Sequence, residues 1–376
     1  MTIVDRYLCS VFLSTFLICF LSFTGLFTVV HLFSNLDELN TIANKIGWLA
    51  VAQEFYLPRV ADIYDKSTGV LILISAVFAV SLLQRRREMT AMEAAGLTKL
   101  RILRPIFLLS IVFVGLTIAN REFLIPRLKT QLVRTPQSWG DTGRTRVSLQ
   151  TDTNNITIQG DYFYFADQRI SNIQVELPAS VSPPTAPLRA KSGFLSAATH
   201  WRPAGIILDV VTSNMESLSP SIKGTDGELT VYTPANYQWL SERQLFVRCD
   251  FSKDQIAFGK QQEQYQSTAE LIASANKPKR WSTGSEYVNI HARLIRPILD
   301  LTLLLLGLPM VIGGIERNVF VSAGICSGIV GLVQLTVIVC YSLGASSLIR
   351  PAALAAWTPA LLYVPAAIVA MRGLRR

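Results

Sequence analysis

A chain of 376 residues that is half hydrophobic and only 16% charged, with a mean hydropathy of +0.35, is too apolar for an ordinary soluble domain. Its formal net charge of +9 lies mostly at the ends of apolar runs, where membrane topology accounts for it, so nucleic acid is not expected as a partner. Five cysteines (Cys9, Cys19, Cys249, Cys326, Cys340) and three histidines (His31, His200, His291) show no disulfide framework, metal-ligand spacing or HExxH pair. No metal, cofactor or catalytic residue is therefore expected.

The apolar residues form blocks around a polar middle over about 127–279, the pattern of membrane spans bracketing a soluble domain. Run 7–33 holds no Asp, Glu, Lys or Arg. It is too long for a cleavable signal peptide and lacks a small-residue cleavage site, so it predicts a span. Residues 46–52 are expected to lie flat at the interface with Trp48 at headgroup level. The second run, 68–83, is short and is expected to reach back through 60–64, leaving Asp65 and Lys66 snorkelling or facing a cavity. A charged segment over 84–101 follows, and then a third run over 105–119 that continues through 123–125.

Beyond this the period changes to two. Segments 147–149, 156–158, 162–165, 173–177, 206–211, 229–232 and 245–248 predict short strands of a sandwich or jelly roll. Proline-rich 182–187 predicts a rigid loop, and 268–274 a short amphipathic helix returning to the membrane. Runs 294–315, 319–343 and 352–371 make six spans. The expected fold is a helical polytopic membrane protein of six transmembrane helices with one all-β, jelly-roll-like domain between helices 3 and 4. It divides into 1–126 with a cytoplasmic helix at 85–96, a β domain over 127–275, and 276–376.

Orientation follows from short-loop basic residues. Arg85, Arg86, Arg87, Lys99, Arg101 and Arg104 share a face with the C-terminal Arg372, Arg375 and Arg376, because six spans return the chain to its starting side. The positive-inside rule makes that face cytoplasmic, with both termini on it and the β domain outside.

No GxxxxGK[ST] loop is present, so work on the chain is expected to come from a partner or an ion gradient. Spans one, three, five and six are nearly free of ionisable residues, which argues against the gradient. Gly324-Ile-Cys-Ser-Gly328 mimics a nucleophile elbow, but no acid or histidine is placed to serve it. Gly324, Gly328 and Gly331 instead form a small-residue packing face suited to a dimer seam or gate. The segment 87–95 contains good helix formers, Gly96 is a natural stop, and Thr98 can cap the next helix. Glu88, Met92 and Gly96 are spaced i, i+4, i+8, and two methionines and three alanines suit a docking surface for a soluble partner. Arg85–Arg87 are accounted for by topology.

Several motifs resemble those of the LptF/LptG permease family. They are Asp5-Arg6-Tyr7 before span one, Glu88-Met-Thr-Ala-Met-Glu-Ala-Ala-Gly96 after span two, and Asn120-Arg-Glu-Phe-Leu-Ile-Pro126 closing span three. His291-Ala-Arg-Leu-Ile-Arg-Pro297 and Gly307-Leu-Pro309 follow in span four. The resemblance implies a non-catalytic inner-membrane subunit that pairs with its LptF or LptG counterpart. It implies an LptB ATPase dimer gripping the helix through Glu88, Met92, Gly96 and Arg87. Lipopolysaccharide would enter a lateral cavity and be pushed into β-jellyrolls continuous with LptC and LptA. Lys45, Arg59, Arg293 and Arg296 lie near the outer interface, where they could meet lipid phosphates or act as interfacial anchors. The chain has Lys66-Ser-Thr-Gly69 where the family often has an early proline in span two. The alternative is a membrane scaffold or mechanotransmission protein whose outer domain regulates an enzyme without a transport cavity.

Overall fold

The computed structural model describes residues 3–136, 144–275, 284–312 and 319–373, leaving out 148, 153–155, 178–186, 197, 199–202, 212–221, 224–228, 235–236, 238, 252–254, 258, 260–263, 347 and 350. Among the described residues six helices are long and apolar enough to cross a membrane. They are Ile3–Ser34, Trp48–Arg85, Lys99–Val133, Tyr287–Ile312, Gly324–Ala345 and Ala352–Arg372, here spans one to six.

Span two is the axis of the bundle. Its most apolar window is 67% buried, against 6% for span one and 17% for span five. Leu8, Phe12 and Phe16 of span one pack against Leu71–Val80 of span two, and Phe16 stacks on Phe113 of span three at 4.0 Å between ring centroids. Span four approaches span two so closely that a Cβ at Gly307 would fall 2.3 Å from a Leu73 methyl. Small residues allow such approach where lipid gives helices no hydrophobic reason to associate. The outward faces of spans one and five remain apolar and uncovered, with Ile18, Leu21 and Leu26, and Leu332, Leu335 and Ile338, all largely exposed.

Span two begins earlier than its hydropathy predicts. The stretch expected to lie flat at the interface, 46–52, instead opens span two, after a strongly amphipathic helix, Leu36–Ile46, that stops at Gly47 with φ +87°. The chain then runs through Trp48–Val51 and a π turn, Ala52–Tyr56, directly into Leu57–Arg85. A second π turn, Asn120–Leu124, breaks span three near its far end.

The β domain is an antiparallel sheet with strand order β1-β4-β5-β6-β7-β10-β9-β8, where β1 is Arg144–Arg146, β4 Tyr162–Tyr164, β5 Arg169–Glu176, β6 Leu188–Ser196, β7 Gly205–Val211, β8 Ile222–Lys223, β9 Leu229–Tyr232 and β10 Leu245–Arg248. β3 (Thr157–Gln159) pairs with β5 alongside β4, and β2 (Gln150–Thr151) pairs with β3. Inward residues such as Ile158, Phe163, Ile173, Ile206, Leu208 and Val247 form its core.

The period-two reading had no counterpart for the two-residue strands β2 and β8, and it differs most at β1 and β6. The strand expected at 147–149 lies at Arg144–Arg146, where Arg144 and Arg146 stack over Tyr162 at 4.8 and 6.0 Å. β6 carried no apolar signal because its inward positions include Ala190, Gly193 and Ser196. Gly193 is wedged between Ile173 and Ile206, which leave no room for a Cβ.

Candidate functional site

Two polar constellations stand at opposite ends of span three. The first is the connector between spans two and three. Span two ends at Arg85; Arg86 and Arg87 turn the chain, Arg87 adopting φ +57°, and a helix follows over Glu88–Ala94. Its end is a paired hydrogen-bond stop, with Leu97 N–H donating to Met92 O at 3.1 Å and Gly96 N–H to Glu93 O at 2.9 Å. This arrangement needs a left-handed residue, supplied by Gly96 at φ +87°. The Thr98 hydroxyl then accepts from Arg101 N–H at 3.4 Å to start span three.

The connector is held against span one. The Tyr7 hydroxyl donates to Glu88 Oε2 at 2.8 Å, Arg86 lies 3.9 Å from Glu88 Oε1, and Arg101 reaches Asp5 at 3.4 Å. Met89 turns inward and is 4% exposed, while Met92 packs half-buried on the same core. The methionines therefore anchor the helix, and the surface open to a partner is Thr90, Ala91, Ala94, Ala95 and Gly96, with Arg85–Arg87 beside it. Of the residues expected to share a stripe, Glu88 and Met92 are half-buried on the helix and Gly96 lies just past its end, exposed.

At the other end a cavity of about 420 Å³ opens between spans two to five and residues 264–271. Asp65, only 6% exposed, lies on its wall. Arg121 donates through Nε to Asp65 Oδ1 at 2.9 Å, and Arg296 reaches Oδ2 at 3.5 Å and the Asp65 carbonyl at 2.8 Å. Lys66 pairs with Asp62 at 2.8 Å and lies 5.6 Å from the Tyr265 ring centroid, the Tyr265 phenol being pushed up by burial. Asp300 closes the cavity floor against Gly69, where a Cβ would fall 2.1 Å from Oδ1.

The structure brings Arg293 and Arg296 to this one cavity but engages both within the chain. Arg293 donates to the carbonyls of Gln266 and, at 2.9 Å, Gln264. Arg59 donates to the Phe55 and Arg134 carbonyls at 2.9 and 2.7 Å with its guanidinium 3.3 Å over the Phe55 ring. Lys45 is exposed at the end of the helix Leu36–Ile46, and neither it nor Arg59 lines the cavity. Among the described residues, Gly324, Gly328 and Gly331 have no atom within 4 Å of where a Cβ would stand, so their face is open.

Sequence reasoning passed over Arg121, Glu122 and Asp300. The i, i+4 spacing of Arg296 and Asp300 inside an apolar run was the available signal. Among the described residues no group of His, Cys, Asp and Glu is placed to hold a metal ion.

Six apolar spans, a β domain inserted after the third and a short amphiphilic connector after the second define a polytopic membrane protein with a soluble domain on a helical bundle. The chain belongs to the LptF/LptG family: the profile of the lipopolysaccharide export system permease LptF/LptG matches residues 6–177 and 211–373. The unmatched interval holds β6 and nearly all of β7. A search among curated proteins finds no match.

Proposed function

We propose that this chain is the non-catalytic permease subunit of an ATP-driven lipopolysaccharide exporter, seated in the inner membrane with its β domain in the periplasm. The observation that carries the reading is the family match, which takes in the connector, all six spans and both ends of the β domain. The basic cluster Arg85–Arg104 supports placing the connector in the cytoplasm.

In this reading a separate ATPase dimer, LptB, docks on Glu88–Gly96. Glu88 supplies the charge, and the exposed alanines supply a flat surface that tolerates close approach. Nucleotide binding and release tilt the connector, and span two, which runs into it, moves within the bundle. Spans one and five have the least covered apolar faces, so they are the ones to meet a second permease and to line a cavity for acyl chains. Closure of that cavity expels the amphiphile toward the β domain, which passes it through edge strands to like domains of LptC and LptA.

Charge reversal tests the coupling. Glu88→Lys is expected to leave the permease folded while reducing co-purified ATPase and ATP-driven lipopolysaccharide release together by about tenfold or more. Undiminished release in that variant removes Glu88 from the role. Photo-crosslinkers in spans one and five are expected to capture lipopolysaccharide, and capture of protein alone would favour the scaffold alternative.

A further inference from the structure

The charged residues at the β-domain end are divided between two tasks in a regular way, which the reading above does not use. Besides Asp62, which pairs with Lys66, and Asp300, three spans each contribute two charged residues, adjacent in span two and in the π turn of span three and one turn apart in span four. One of each pair faces the other spans and the other faces the chain returning from the β domain. Span two gives Asp65 inward and Lys66 toward Tyr265. Span three gives Arg121 inward and Glu122 outward. Glu122 accepts from the backbone N–H of Thr268 at 3.0 Å and from its hydroxyl. Span four gives Arg296 inward, and Arg293 one turn away to the carbonyls of Gln264 and Gln266.

The segment so gripped is short and well defined. Ser267 and Glu270 exchange hydrogen bonds at 3.1 and 3.2 Å, a capping box that starts the helix Thr268–Ala275. Thr268 N–H, one of the donors a helix start leaves over, is satisfied by Glu122 from another element. Lys129 lies 3.9 Å from Glu270, and Leu271 is buried at 5% exposure as the apolar anchor. Within the π turn Asn120–Leu124, Arg121 meets Asp65 and its neighbour Glu122 meets Thr268, while the Asn120 side chain donates to the Ala61 carbonyl of span two at 2.8 Å.

We infer that this junction is the rigid link by which movement of spans two, three and four is delivered to the β domain, with Glu122 and Arg293 as its positioning residues. The inference rests on the permease reading and adds the output end to it. The connector takes work in at one end of span two, and the Asp65 cluster hands it at the other to the helix Thr268–Ala275. The Asp65 cluster joins the three spans, because breaking a buried ion pair leaves an uncompensated charge, and the charged hydrogen bonds of Glu122 and Arg293 tie the returning chain to them.

The test uses the complete permease–ATPase complex in lipid with lipopolysaccharide, in a chain whose five native cysteines are replaced. Glu122→Cys with Thr268→Cys removes the contact when reduced and restores a link when bridged by a short reagent cleavable by dithiothreitol. Reduced, the complex is expected to hydrolyse ATP within about twofold of the parent while lipopolysaccharide captured at the β domain falls by about tenfold; bridging recovers most of the capture, and reductant abolishes it again.

Unchanged capture in the reduced form overturns the inference, because the contact is then not needed. Capture that survives reduction but is lost on bridging also overturns it, since the joint must then open rather than transmit. A loss that bridging does not repair, with the β domain still resistant to proteolysis, overturns it as well. Arg293→Gln, which keeps the Glu122 contact, gives an independent reading and is expected to reduce capture without reducing hydrolysis. Failure of the permease reading is distinguishable: the parent complex would then capture no lipopolysaccharide at either the spans or the β domain.

Discussion

The side chains whose roles are settled most firmly are those with little room to be otherwise. Asp65 holds two arginines from different spans, and its side chain is 9% exposed. Asp65→Asn leaves those guanidiniums short of countercharge and is expected to destabilise the bundle by about 3–5 kcal/mol, read as a lowered unfolding midpoint in lipid nanodiscs. Gly69 exists because Asp300 occupies the space its side chain would take. Gly69→Ala is expected to cost about 1–3 kcal/mol by overpacking, and Gly69→Ala with Asp300→Ala to recover most of it; additive losses in that cycle would contradict the contact. Cys249, buried under the β sheet, has its thiol pushed up to about 12. It is expected to resist maleimide at neutral pH until the β domain unfolds. A raised thiol pKa contributes its stability in full below the unfolded value near 9, and that contribution is lost as pH climbs toward 12, so the domain should weaken over that alkaline range.

At the scale of elements, the connector shows how local chemistry and packing divide the work. Its end was legible, with Gly96 as the stop and Thr98 as the next cap where the structure places them, but its start was not: the helix expected from residue 85 begins at Glu88, because Arg86 and Arg87 turn the chain. The side that faces a partner was not legible either, because a seven-residue helix carries too few turns for periodicity to choose a face. Tertiary packing chose, drawing Met89 and Met92 onto the core with Leu97 and turning Ala91, Ala94 and Ala95 outward. Because space around Gly96 is open, Gly96→Ala tests backbone strain alone. It is expected to cost about 1 kcal/mol, with Gly96→Asn costing less, and to lower ATPase co-purification more than it lowers permease stability. β6 is the complementary lesson. Its inward positions are small because neighbouring strands fill the core above them, and such a strand leaves no alternating apolar trace.

For the whole molecule, the uneven covering of the spans is the feature with most consequence. Span two is enclosed, while spans one and five offer apolar faces to whatever surrounds the chain. Gly324, Gly328 and Gly331 belong to that open surface of span five. Gly328→Leu is therefore expected to leave the thermal stability of the isolated chain unchanged and to reduce assembly with a second permease, measured by co-purification. Equal loss of both would place the glycine face inside the subunit instead.

The sequence by itself determined the six spans, the β domain between the third and fourth, the connector and its stop. Each depends on transfer of a contiguous segment into lipid or on a residue's own backbone preference, and both are local quantities. Only the tertiary structure decided that Asp65, Arg121 and Arg296 meet. They are separated along the chain by 56 and 175 residues, and no period or spacing relates them. It also decided that Glu122 caps a helix beginning at Thr268, 146 residues away. A charge near a membrane face is compatible with water, lipid headgroup or partner, and the choice among them is made by what the folded chain places beside it.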